Sequence, residues 1–74
     1  MNYSDGLEVR LGDRVRLGNG DTGVVVASPE SGEFGEGYSK EAWSSLETGV
    51  LIRTDRGALV HLEPPLDPGF LMRE

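Results

Sequence analysis

Cysteine is absent from this 74-residue chain, histidine and tryptophan occur once each, and no hydrophobic run approaches the length of a membrane span. Without thiols there is neither a disulfide staple nor a thiolate metal site, so the fold must hold through packing and hairpins. A reducing, cytoplasmic setting is the natural expectation. A membrane-spanning helix needs about 20 apolar residues, so no membrane partner is expected. Met1 to Asp5 lack the basic-then-apolar order of a signal peptide and read as a frayed end.

The same shortage weighs against catalysis, because acid–base or nucleophilic work near neutral pH usually needs a tuned His or Cys beside a partner. His61 lies among Leu59, Val60 and Leu62 in a predicted strand and reads as a structural histidine. One His with scattered carboxylates makes no zinc set. Glu30, Glu33 and Glu36 lack the alternating spacing of a calcium loop. The expectation is a protein that is not an enzyme and uses no metal and no cofactor.

Acids outnumber bases 13 to 7, for a net charge of −6. The excess is local: residues 28–48 carry five acids and one base, whereas each flank carries four acids and three bases. Nucleic-acid affinity is largely counterion release driven by Lys and Arg, so broad DNA or RNA binding is disfavoured. The length allows one domain over residues 1–74, and a chain this short buries only about 60% of its unfolded surface.

Strand signals dominate the chain. Val9, Leu11, Val15 and Leu17 fall on odd positions with Arg10, Arg14 and Arg16 between them, the period-two signature of a half-buried strand. This predicts a strand over 13–17, a tight hairpin through Gly18-Asn19-Gly20-Asp21, and a second strand over 22–28. The density of Val24, Val25 and Val26 implies cover on both faces for part of that strand. Strands over 48–54 and 58–63 flank the three-residue turn Asp55-Arg56-Gly57, the clearest hairpin in the sequence. Pro64 and Pro65 stop the second of these, and residues 70–72 supply a short closing strand. Between the hairpins, residues 29–37 read as a long acidic loop. Ser39 caps a short helix over 39–46, docked through Trp43 and Leu46. The fold class is therefore mainly β: a small five-stranded barrel, with one short helix in an insert between the two hairpins.

Gly18-Asn19-Gly20-Asp21-Thr22-Gly23 is a literal G-x-G-x-x-G. A dinucleotide fingerprint must open a helix, and here valines continue the chain as a strand. The glycines instead suit a hairpin that needs unusual φ and a close backbone approach. Asp13-Arg14-Val15-Arg16-Leu17 followed by Gly20-Asp21-Thr22-Gly23-Val24-Val25 resembles the KOW motif of SH3-like barrels in ribosomal proteins and transcription elongation factors. That resemblance implies an SH3-like barrel and RNA or ribosome contact through basic residues of the loop, where this chain carries Asn19 and Asp21. Tyr38, Glu41, Trp43 and Gly49-Val50-Leu51 are also similar to a pattern in short uncharacterised proteins of bacteria and their mobile elements, which implies no known activity.

Two surfaces are candidates for contact. Glu33, Phe34, Glu36, Tyr38, Glu41 and Trp43 would bind a protein partner, one with a basic surface, in the manner of a small accessory or inhibitory protein. Tyr38 and Phe34 are the better-placed aromatics, and Trp43 is expected in the core. Alternatively, Arg10, Arg14 and Arg16, neighbours on one strand face, would bind nucleic acid; the plainer reading is that they pair with acids and cover the barrel with their stems. A homo-oligomer is conceivable if the segment 70–72 is donated to a neighbouring copy.

Overall fold

The alternation around Val15 takes effect as its period requires. In β1 (Arg14–Leu17), Arg14 and Arg16 face solvent while Val15 and Leu17 are buried. The computed structural model describes residues 2–3, 6–43, 48–63 and 69–74. After β1 the chain turns through Gly20, whose φ of 92° lies in the left-handed region, and returns as β2 (Thr22–Ser28) with Arg14 opposite Val24 and Val15 opposite Gly23. A glycine is required at Gly23 for a second reason: a Cβ there would run into the Arg53 carbonyl of the next strand. The G-x-G-x-x-G thus serves a tight turn and a close approach of two backbones.

Among the described residues six strands form one antiparallel sheet. β4 (Val50–Thr54) lies on the other side of β2, and β5 (Leu59–Leu62) follows through the predicted turn at 55–57. β6 (Leu71–Arg73) returns beside β1. The order is β5-β4-β2-β1-β6, with the two-residue β3 (Glu33–Phe34) pairing with β2 off this path. The sixth strand and the open path correct the expected five-stranded barrel: β5 and β6, at the two ends of the path, share no ladder among the described residues. With three and four residues these edge strands leave few bare backbone groups. The core is completed partly from outside the sheet, because Tyr3 and Val9 join Val15, Leu17, Val25, Val50, Ile52, Leu62 and Leu71 in one buried cluster.

The predicted helix over 39–46 is present as a single turn, α1 (Lys40–Trp43); residues 44–46 of that expectation, Leu46 among them, lie outside the described residues. Among the described residues no helix is long and apolar enough to cross a membrane.

Tyr3 corrects the expectation of a frayed end. It is only 5% exposed. Its hydroxyl donates to Asp13 Oδ2 at 2.7 Å, and the same oxygen accepts the Arg10 amide at 3.0 Å. Its amide donates to the Leu7 carbonyl at 2.8 Å. Tyr3→Ala is expected to lower the stability by about 3 kcal/mol, and Tyr3→Phe by about 1 kcal/mol. Both are read from urea unfolding midpoints at unchanged slope; a truly frayed terminus would leave both midpoints at the wild-type value.

Candidate functional site

The insert is shaped by its Pro-Glu-Ser-Gly start. Pro29 opens a single 3-10 turn, Pro29–Ser31, where its fixed φ suits the first position. Gly32, at a φ of 73°, ends that turn in the left-handed conformation, with its amide on the Pro29 carbonyl at 3.1 Å. The chain is thereby turned back, so that Phe34 pairs with Ala27 and Glu33 with Ser28. What reads as a long acidic loop is half folded onto the sheet. The Gly35 amide then donates to the Val26 carbonyl at 2.9 Å, and the Tyr38 amide to the Gly35 carbonyl at 3.0 Å. Farther along, the Gly49 amide donates to the Glu30 carboxylate at 3.3 Å.

These constraints bring together some of the predicted contact residues and remove others. Tyr38 and Trp43 meet with ring centroids 6.4 Å apart and planes tilted by 38°, within the range of a favourable aromatic pair. Trp43 is half-buried and outside the main core cluster, which corrects its expected place. Phe34 is half-buried on β3, and Glu36 and Glu41 are exposed. Glu33 is held by Arg10, whose Nε and Nη2 donate to its two carboxylate oxygens at 3.3 and 3.1 Å. The acidic insert and the arginine strip are therefore joined to each other.

The remaining arginines of the strip are engaged as well. Arg14 donates to both oxygens of Asp55 at 3.2 and 3.1 Å, and lies 3.6 Å from Glu74. Arg16 lies 3.9 Å from the same Glu74. Arg10 precedes β1 and does not share its strand face with the other two, because the backbone turns at residues 11–12. At the loop of the KOW-like motif, Asp21 pairs with Arg56 of the opposite hairpin at 3.1 Å. The two hairpin turns are thus tied by charge, with Thr22 Oγ1 also donating to Asp55. His61 donates through Nε2 to the Thr48 carbonyl at 2.9 Å, and its Nδ1 lies 3.5 Å from Glu63. Among the described residues, no three His, Cys, Asp or Glu side chains cluster so as to hold a metal.

Folding the insert back creates a shallow groove of about 240 Å³ lined by Leu11, Val26, Gly35, Glu36, Tyr38 and Arg53. Leu11 is 37% exposed there. Leu11, Val26 and Arg53 were not among the residues singled out for contact. A signal for Arg53 is present nonetheless, as the one charge in the run Val50-Leu51-Ile52-Arg53-Thr54. Among the described residues Arg53 has no carboxylate at ion-pair distance, in contrast to Arg10, Arg14, Arg16 and Arg56.

The ion pairs shift the titration of their members. The Arg10 guanidinium, through its hydrogen bonds and then its charge, holds the Glu33 carboxyl below the usual carboxylate range. Hydrogen bonds from Arg14 and then Thr22 do the same for Asp55. Arg10 and Arg14 are raised in turn by those partners. Since both carboxyls are depressed on folding, their stabilisation is complete above the unfolded-state values and is lost as pH falls through the lower folded ones. The urea midpoint is expected to hold steady from neutrality and to fall below about pH 4. A variant carrying E33Q and D55N should start from a lower midpoint at pH 7 and lose less on the same descent; an equal loss would show that these pairs do not link folding to pH.

Comparison with protein-family models, with curated proteins and with solved structures finds no match to this chain.

Proposed function

We propose that the protein is a non-enzymatic interaction module built on a small antiparallel sheet, an accessory or inhibitory protein that holds a protein partner at the groove between its insert and the sheet. The observation that carries this reading is the convergence of Leu11, Val26 and Tyr38 with the cation Arg53 and the anion Glu36 in one groove, beside the Tyr38–Trp43 aromatic pair. Large apolar side chains with few oriented charges are what anchor interfaces. The net charge of −6 and the exposed Glu36 and Glu41 favour a partner with a basic surface, whose encounter they would accelerate. The lack of cysteine suits a cytoplasmic role.

The alternative, KOW-like RNA or ribosome binding, has less support. Arg10, Arg14 and Arg16 each face a carboxylate, so a phosphate would have to displace Glu33, Asp55 or Glu74 within an acidic chain.

Wild-type protein and a variant carrying Y38A and E36Q, used as paired baits with quantitative mass spectrometry, separate these readings. Partners enriched on the wild type should be lost from the variant, and identical enrichment would overturn the assignment to this groove. In parallel, an RNA oligonucleotide at about 50 mM salt should not bind. Salt-sensitive binding that is abolished by R14Q and R16Q together would establish the alternative.

A further inference from the structure

Arg53 stands where two hollows on the outer face of the sheet adjoin. One is the groove beside the insert; the other, of about 300 Å³, is lined by Arg14, Val24, Thr54 and Asp55, and Arg53 borders both. In register it lies between Val24 of β2 and Leu59 of β5, and Leu59 is 46% exposed. An arginine whose cross-strand neighbours are apolar and which, among the described residues, has no carboxylate at ion-pair distance differs from Arg14 and Arg16, which both have acid partners. A guanidinium matches a carboxylate through two parallel hydrogen bonds, and a ligand that covers it strengthens them by excluding water.

We propose that the groove receives an extended peptide of a partner protein, with an Asp or Glu side chain on Arg53 and an apolar side chain against Leu11, Val26 and Tyr38. Alternate residues of an extended peptide point the same way and lie roughly 7 Å apart, so the acid and the apolar residue stand two positions from each other. Glu36, at the insert side of the same groove, selects a basic residue beyond the apolar one. The recognised segment thus carries both signs, which reconciles an acidic module with a cation in its groove. The largely apolar lining and the one guanidinium of this groove favour peptide over nucleic acid, whose affinity comes from several phosphates at once. This inference rests on the reading of the groove as a protein-binding surface.

The test is selection of a displayed random-peptide library on the full chain, followed by titration of the best synthetic peptide into isotope-labelled protein. The recovered peptides should share an acid two positions from a large apolar residue, and the titration should shift the amides of Val26, Gly35 and Tyr38. Replacing the peptide's acid by its amide should weaken binding by about tenfold, the loss of one charge-assisted pair. R53Q should weaken the acidic peptide as much and leave the amide version unaffected. The peptide arm needs no protein variant, so it stands even if R53Q were to disturb the fold. Peptides that shift these amides yet bind R53Q equally well would overturn the carboxylate assignment while preserving the groove as a docking site. Failure of every recovered peptide to shift them would overturn both. An RNA oligonucleotide that shifts the same amides and weakens on R53Q would make phosphate the occupant and overturn the peptide.

Discussion

Everything in this fold hangs on β2. It pairs with β1 along one side and with β4 along the other, and near its end with β3. Its inward residue Val25 sits opposite Ile52, both in the core cluster. A bulge then intervenes, so that Ala27 lies opposite Leu51 instead. One extra residue in a ladder exchanges the faces of everything beyond it. Ala27 and Leu51 are buried, yet outside the main cluster. The first half of β2 therefore builds the core, while the second gives the insert a surface to fold against. Gly23 is the condition for the close approach of β2 to Arg53 and Thr54.

Charge plays a different part from the one its distribution suggests. The excess of acids lies in the insert and three arginines stand close together at residues 10, 14 and 16, a separation that reads as two opposed contact surfaces. Folding brings them together. Glu33 of the insert meets Arg10, while Arg14 and Arg56 meet Asp55 and Asp21 of the two hairpins. Exposed pairs of this kind add little stability individually, but they orient the hairpin turns and leave those arginines engaged by carboxylates. The net field stays acidic, and among the described residues Arg53, on the outer face of the sheet, has no carboxylate at ion-pair distance.

The groove owes its existence to the same return of the chain. A loop that stayed in solvent would leave Val26 facing water and Tyr38 remote from Leu11. The 3-10 turn at Pro29–Ser31 and the left-handed Gly32 place Gly35, Glu36 and Tyr38 alongside β2. The groove is thus made of parts distant in sequence: a turn before β1, the middle of β2, the insert, and one residue of β4.

By itself the sequence determined what depends on local periodicity and turn chemistry. The alternation around Val15, the valine run after Thr22 and the Asp55-Arg56-Gly57 turn each mark their element within a residue or two of where it lies, because side-chain period and positive φ act over a few neighbours. Tertiary structure alone decided the rest. Glu33 and Phe34 carry no strand pattern and pair only because Gly32 turns them back to β2. Tyr3 is placed by a hydrogen bond to Asp13, ten residues away in sequence. Of the residues lining the candidate groove, Tyr38 and Glu36 were legible in the sequence, but Arg53 was not. Charge in a sequence records how many cations there are; which of them is left without a carboxylate is a matter of distance in three dimensions, where Coulomb attraction acts.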